Sequence, residues 1–348
     1  MAEILNNLQK QLFTVISQVR APSTIQTYEP YWLKFRAFCK KVSLSYLPTT
    51  DLTLALYLVH ALKHKATLSA ITLTCSAVSF AHKMTGTACP TDGPFTSQVR
   101  EFAKRHAPRP NRTKEPVSLH QVHSMAQEFL TSHIPSEFQK GLIPLLMYTG
   151  FLRYSDLVAI QWQDIQFEDT AMWVLIPHSK TDQESKGVWV PVAATDGPYC
   201  PVQTTKKFIK IAGYDSSTEG PLIRVFPRGA KATPQDKSPS YPTLRNWCLE
   251  AFRKIGLDPK HLGTHSFRKG AATTAAGVRI TDRMFKRLGR WRSDTTKELY
   301  VTVTQDQLVA ASRLIQDPTR APSSNQHQLS IQRQRRPPLH MSQQTQMK

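Results

Sequence analysis

The sequence predicts a mainly α-helical chain with one small β element, an α+β protein in two domains. The 348 residues exceed the about 250–300 that a single hydrophobic core usually holds. Apolar residues recur at three- and four-residue spacing through most of the chain, between Ser, Thr or Asp caps and Gly or Pro stops. Only 171–176 (AMWVLI) and 187–192 (GVWVPV) read as strands, and the polar stretch PHSKTDQESK between them makes a hairpin.

The elements follow in order. Residues 1–20 read as an N-terminal helix or arm, which Ala21-Pro22-Ser23 breaks. On the next helix Tyr28, Trp32, Phe35 and Cys39 repeat at helical spacing, and Pro30 should kink or delay the first turns. That aromatic stripe fits a bundle core better than a base-stacking surface. Thr50 or Asp51 caps a helix through Leu62, Ser69–Met84 makes another and Ser97–His106 the last, so 21–106 is a small all-helical domain. The basic, Pro-rich segment 107–116 is a linker.

In the second domain, 117–317, Ser118 caps a helix to about Ser132 and Ser136 another ending at Gly150. FLRYSDLVAIQWQDIQF then reads as a helix from Ser155 and Asp156, with Leu157, Ile160, Trp162 and Ile165 on its apolar side. Cys200–Ala212 and Thr243–Ile255 are helical after the hairpin. From Leu262 to Tyr300 lie three short helices. Thr264 caps the first, from His265 to near Gly277; Thr281 or Asp282 opens the second and Gly289 closes it; Ser293 or Asp294 starts the third, which carries Tyr300. A weak helix follows at about 306–315, and the tail 318–348, rich in Gln, Ser, Pro and Arg, is expected to be disordered.

Lys and Arg number 45 against 25 acidic residues, a net charge of +20 that suits a polyanionic partner. No apolar run approaches a membrane span and the N-terminus is not signal-like, so a soluble intracellular protein is expected. The five cysteines are scattered with no C-x-x-C pair, which indicates reduced thiols and neither a disulfide framework nor a zinc site. His261 and His265 have the spacing of a zinc half-site without a cysteine partner nearby, so no metal and no cofactor are expected. Candidate phosphate contacts are Lys63, Lys65, Lys83, Arg100, Lys104, Arg105, Arg109, Arg112 and Lys114.

His265 and Arg268, three apart on one helical turn, form a face that can hold a phosphate, and the Tyr300 phenol hangs nearby. A hydrolase would need a metal or a carboxylate pair to activate water, and this stretch offers neither. It offers a nucleophile instead. A Tyr hydroxyl can attack a phosphodiester when a base takes its proton and fixed cations stabilise the non-bridging oxygens. The phosphotyrosine ester so formed keeps the bond energy for resealing.

Arg153, Lys180, His265, Arg268, Trp291 and Tyr300 resemble, in order and context, the active-site set of the tyrosine recombinases, the phage-integrase-like family. The phrases that carry the resemblance are TGFLRYSDL, the hairpin SKT, THSFRKGAA, and LGRW followed nine residues later by the Tyr of KELY. The entry Thr24, Tyr28, Trp32 looks like the family's core-binding domain, so the resemblance covers about 20–316. HSFRKGAATTAA and GRWRSD look closest to recombinases of eukaryotic mobile elements, particularly DIRS-type retrotransposons. One departure stands out: many members have His in an L-G-H context where this chain has Arg290 and Trp291. Others use Trp nine residues before the Tyr, so Trp291 and not Arg290 is aligned with that position.

The resemblance implies a core-binding domain and a catalytic domain clamped on double-stranded DNA. It implies a site-specific recombinase or integrase working through a 3′-phosphotyrosine without metal or ATP. Arg153 and Arg268 would hold the non-bridging oxygens, Lys180 would protonate the leaving 5′ oxygen, and His265 would assist at Tyr300 or bond the phosphate. Trp291 would donate its indole N–H and buttress the Tyr helix. A tetramer joined through the helix at about 306–315 is implied, and nuclear residence is expected from the eukaryotic resemblance and the basic Arg333, Arg335 and Arg336. A type IB topoisomerase and a catalytically silent DNA-binding protein are the alternatives.

Overall fold

The computed structural model describes residues 20–108, 114–177, 187–215, 218–226, 236–278, 280–291, 293–302 and 309. The expectations for the N-terminal arm, for Arg109, Arg112 and Lys180, for the tail and for all but Val309 of the 306–315 helix therefore lie outside the described residues. The chain divides into two compact units, Met1–Arg112 and Thr113–Lys348.

In the first unit α1 spans Pro22–Lys41, and Pro30 lies inside it rather than delaying it. The helix starts at Pro22, whose fixed φ suits a first turn. Thr50 accepts from the Thr53 N–H at 3.1 Å and opens α2, Asp51–Lys63. Thr67 does the same for α3, Leu68–Thr85, which Gly86 closes in the left-handed region at φ 67°. α4 spans Pro94–His106, three residues longer at its start than expected. The cause is long-range: the Asp51 carboxylate, at the head of α2, accepts from the N–H groups of Phe95 (2.9 Å) and Thr96 (2.8 Å). Phe35, Leu54, Leu58 and Val78 are fully buried, with Trp32 and Tyr46 edge-on beside them. Of the aromatic stripe Phe35 is core and Trp32 packs half-buried against it, while Tyr28 is half-buried beside Phe80 outside that cluster; a fully buried side chain such as Phe35 contributes about 1.5–3 kcal/mol.

The second unit opens with α5, Leu119–Leu130, whose capping box pairs Ser118 with Gln121. α6, Pro135–Thr149, runs almost wholly buried through the core. The helix expected to continue from Asp156 stops early. α7 is only Tyr154–Ala159; a 3₁₀ turn, Trp162–Asp164, follows and then a strand, β1, Ile165–Phe167. β1 pairs antiparallel with β2, Ala171–Ile176, and β2 with β3, Val188–Ala193, so the expected hairpin is two strands of a three-stranded sheet. Ile165 is buried opposite Val174, itself opposite Val190, a β-branched row that tertiary packing rewards over helical spacing. The remaining helices are α8, Pro201–Ala212, α9, Tyr241–Lys254, α10, Thr264–Gly277, α11, Asp282–Gly289, and α12, Asp294–Glu298. Mainly helical with one small sheet, the fold matches the sequence expectation.

The segment just before α5 is stitched to the head of α10. The Glu115 N–H donates to His261 O (2.9 Å), the Val117 N–H to Ser266 O (3.2 Å) and Lys114 Nζ to Lys260 O (3.0 Å). Gly270 makes the approach possible, since a Cβ there would lie 1.9 Å from the Val117 carbonyl oxygen. Among the described residues no helix is long and apolar enough to cross a membrane.

Candidate active site

Two sharp turns bring distant residues together. Gly150 ends α6, and Phe151 takes a left-handed φ of 50°, rare for a bulky residue, before Arg153 caps α7. Asp156, wholly buried, accepts from the Arg153 backbone N–H at 3.1 Å and sits 3.7 Å from that residue's Nη1. The second turn joins α11 to the Tyr-bearing segment. Thr281 caps α11 as expected, but the left-handed residue at its end is Arg290, φ 52°. Gly289 serves a different need: a Cβ there would fall 1.9 Å from the Trp291 ring.

At α10 the cap differs by one residue from the sequence reading. Thr264 is the first helical residue and is buried; the Gly263 N–H donates to Ser266 Oγ (3.1 Å) across the start of the helix. Gly263 presents no side chain at that cap, so the Ser three residues on supplies the partner. His265, in the first turn, keeps part of its surface in solvent while its ring faces the cluster, and Arg268, one turn on, is completely buried.

The Arg268 guanidinium donates through Nη1 to the Phe151 carbonyl and through Nη2 to the Gly289 carbonyl, so it pins one turn to the other. Arg290 makes the reciprocal link. Its Nη1 donates to Gly150 O (3.1 Å), and its Nη2 to Phe151 O (2.9 Å) and Asp156 Oδ2 (2.8 Å). Two guanidinium groups, Arg290 and Arg153, thus flank the Asp156 carboxylate, with Arg268 joined to the same turn through the Phe151 carbonyl, and four N–H groups of this cluster, Arg153 Nη1, Arg268 Nε, Arg290 Nε and Trp291 Nε1, are buried with no hydrogen-bond acceptor among the described residues.

Rings close the other side. Trp291 packs edge-on against Phe285 (5.1 Å) and Phe151 (6.0 Å), and its ring lies 5.7 Å from that of Tyr300. The Arg268 guanidinium carbon stands 5.0 Å from the Trp291 ring centre and 5.1 Å from that of Tyr300. His265 lies 6.5 Å from Tyr300, centre to centre. Tyr300 is not on α12 but two residues beyond it, its N–H donating to Lys297 O (2.9 Å). Lys286 bridges Asp282 (3.0 Å) and Asp294 (2.8 Å) and so straps α12 to α11; the Thr302 N–H, donating to Thr273 Oγ1 (3.1 Å), ties the far side to α10.

Burial and the neighbouring Arg153 and Arg290 charges push the Arg268 guanidinium down to about 9. Loss of solvent, then the charges of Arg268 and Arg153, lower His265 below its ordinary 6.5, which favours the neutral imidazole that can accept a proton. A surface anion would relieve all of these repulsions. Among the described residues no group of three or more His, Cys, Asp or Glu side chains converges as a metal site would.

Of the six residues singled out from sequence, Arg153, His265, Arg268, Trp291 and Tyr300 converge, and Lys180 lies outside the described residues. Arg290, set aside in favour of Trp291, is part of the same cluster. Nothing in the sequence distinguishes a buried Arg from the many exposed ones; only its place in a glycine-like turn could have hinted at it. Among the phosphate-contact candidates, Lys63, Lys65, Lys83, Lys104 and Arg105 are exposed and Arg100 is half-buried in the first unit, with Lys104 paired to Glu101 at 2.5 Å. Lys114 instead spends its ammonium on the Lys260 carbonyl.

The model of the phage integrase family matches residues 117–307. The integrase/recombinase xerD homologue of Selenomonas ruminantium is 25% identical over 293 residues, covering 82% of this chain and 83% of its own. Among solved structures the chain is similar to the XerH site-specific recombinase bound to a palindromic difH substrate in a post-cleavage complex (TM-score 0.61, 14% identity, 88% of this chain and 85% of that one). It is also similar to the Tn1549 transposon integrase in complex with transposon right-end DNA (TM-score 0.58, 13% identity, 88% and 98%). A third is a lambda integrase dimer bound to a COC′ core site (TM-score 0.55, 19% identity, 85% and 94%). The structural likeness, at these identities, concerns the fold. The family match covers more than half of the chain, which belongs to the phage integrase, or tyrosine recombinase, family.

Proposed function

Taking family membership as the premise, we propose that this protein breaks and rejoins DNA strands through a covalent bond between Tyr300 and a 3′ phosphate. The observation that carries the proposal is that Arg268 and Trp291, which pack against the Tyr300 ring, each bury an N–H group without an acceptor, as does the neighbouring Arg153. A buried donor without a partner is costly, about 1–3 kcal/mol each, and a phosphodiester's two non-bridging oxygens are acceptors of the right number and charge. In this mechanism the Tyr300 oxygen attacks phosphorus, the P–O5′ bond breaks, and a 3′-phosphotyrosine and a 5′-hydroxyl result. His265, held neutral, takes the phenolic proton; Lys180 gives a proton to the leaving oxygen. Arg153 and Arg268 stabilise the extra negative charge of the transition state, and Trp291 donates one hydrogen bond. Rejoining is the same path reversed, and no nucleotide or metal enters it.

Beyond the chemistry, we propose a site-specific recombinase that assembles on two duplexes and serves a mobile element of the DIRS type, acting in the nucleus. The net charge of +20, the DNA-bound integrases and recombinases of similar fold, and the HSFRKGAATTAA and GRWRSD phrases support that assignment. The test is covalent capture. A pool of nicked duplexes of random sequence, in which cleavage releases a short strand and blocks rejoining, is incubated with protein, and DNA bound through denaturant is sequenced. Wild-type protein is expected to yield adducts at a defined sequence, and Tyr300→Phe none while still retarding the same duplex in a gel. An adduct formed by Tyr300→Phe removes Tyr300 from the role. Transfer of the captured strand to a second duplex separates recombination from topoisomerase-like swivelling.

A further inference from the structure

We propose that Arg290 is a positioning residue for this chemistry: it is the nearer counter-ion of the buried Asp156 carboxylate and so leaves more of the Arg153 and Arg268 charge for the phosphate. The inference rests on the strand-cleavage mechanism above. Asp156 is wholly buried, one turn from Arg153, and anchors the head of α7 by accepting the Arg153 N–H. As the only carboxylate of the cluster among the described residues it would draw off one of the charges meant for DNA. Arg290 prevents this by proximity. Its Nη2 donates to Asp156 Oδ2 at 2.8 Å, whereas Arg153 Nη1 stands at 3.7 Å, beyond hydrogen-bond reach, so Arg290 is the stronger of the two partners.

The backbone geometry fits that purpose. Arg290 adopts φ 52° and ψ 43°, a conformation that glycine adopts freely and an arginine side chain does not favour. From there its guanidinium reaches the Gly150 and Phe151 carbonyls and is 4% exposed. Three guanidinium groups and one carboxylate leave two positive charges. A phosphodiester carries one negative charge, and its five-coordinate transition state two on the same oxygens. With Arg290 the charges match in the transition state; without it, one is lost.

The choice of variants follows from the turn. Arg290→Gly suits the left-handed backbone, so its effect is not one of strain, and thermal melting verifies folding. On a nicked duplex captured as above, single-turnover adduct formation is expected to fall about a hundredfold, the scale of one lost preorganised donor, with gel retardation little changed. Three further readouts separate a charge role from a merely structural clamp. Arg290→Lys, which keeps the charge without bridging both carbonyls, is expected to retain activity within about tenfold of wild type. Adding Asp156→Asn to Arg290→Gly, with Asn still able to cap α7, is expected to restore roughly tenfold or more of the loss. On a methylphosphonate duplex, where a methyl replaces one charged oxygen, the Arg290→Gly penalty is expected to shrink by about the same factor. Wild-type rates for Arg290→Gly overturn the inference, as does a loss that Lys, Asn and methylphosphonate all leave unchanged. A wild-type protein that forms no adduct on any duplex of the pool overturns strand cleavage itself, and this inference with it.

Discussion

Gly289→Ala probes how tightly the Trp291 ring is wedged beside the nucleophile. The added Cβ would lie 1.9, 2.1 and 2.3 Å from Cζ3, Cε3 and Cη2 of Trp291, three atoms of one rigid ring in a site only 6% exposed. Carbon atoms pack at about 3.5–4.0 Å, so the ring or the end of α11 must retreat by roughly 1.5 Å or more. The ring has nowhere to go. Phe285 stands edge-on at 5.1 Å and Phe151 at 6.0 Å, and the Arg268 guanidinium covers its remaining side at 5.0 Å. Overpacking of this kind costs about 1–3 kcal/mol. In a unit of this size each kcal/mol lowers the melting temperature by about 2–4 °C. Arg268 and Tyr300 both lean on the displaced ring, and a misplacement near 1 Å can cost about a hundredfold in rate. Thermal denaturation and single-turnover adduct formation are the assays. The decisive control is Gly289→Ala combined with Trp291→His, whose smaller ring ends the clash: the pair should melt above the sum of its single effects. A Gly289→Ala protein that melts and cleaves like wild type, or a pair that is strictly additive, refutes the wedge.

Gly270→Ala forces a methyl to within 1.9 Å of the Val117 carbonyl and should lower the melting temperature by several degrees, at about 1–3 kcal/mol for the overpacking; an unchanged melt would show that 114–117 is not laid against α10. Arg268→Lys keeps a charge but cannot bond the Phe151 and Gly289 carbonyls together, so single-turnover cleavage should fall about 10²–10³-fold with retained gel retardation; near-wild-type cleavage would show that the fork geometry is dispensable. His265 is lowered from 6.5 by loss of solvent and by Arg268 and Arg153, and the sign follows. The unfolded imidazole gains its proton first as pH falls through 6.5, so the folded state loses stability from there down to the lower folded value. Cleavage that uses the neutral ring should hold its rate down to pH 6.5 and decline only below it; a decline centred above 6.5, or one that His265→Gln shares, contradicts the assignment.

Local signals were legible in the sequence wherever one residue and its near neighbours decide the structure. Thr50, Ser118 and Thr281 cap helices by accepting from an N–H three positions on, and a sequence displays that chemistry directly; Thr67 and Ser240 do the same, two and three residues before the starts expected at Ser69 and Thr243. Distant partners were not legible. The start of α4 depends on Asp51, forty-four residues before Phe95. β1 depends on the row Ile165, Val174, Val190, so its three residues passed for the end of a helix. The same division runs through the site. His265, Arg268 and the final Tyr stand in recognisable phrases, whereas the role of Arg290 arises only because α6 and α11 end against each other at Gly150 and Phe151.

What holds Arg268 explains why the cluster tolerates so many like charges. A carboxylate partner would fix a guanidinium firmly, but it would also cancel the charge that must meet a phosphate. Arg268 is fixed by two backbone carbonyls, Phe151 O and Gly289 O, which orient it as neutral dipoles and leave its charge intact. Both carbonyls lie just past a helix end that a left-handed residue closes: Phe151 and Arg290 stand at φ 50° and 52°, the Phe151 and Leu152 N–H groups return to α6 and those of Arg290 and Trp291 to α11, and the Phe151 and Gly289 oxygens beyond them accept from Arg268. The strain of two left-handed non-glycine residues and the mutual repulsion of Arg153, Arg268 and Arg290 are therefore parts of one arrangement. The repulsion on Arg268 would be relieved by giving it an acidic partner, and it persists because a guanidinium already paired would have little left to offer an anion arriving from outside.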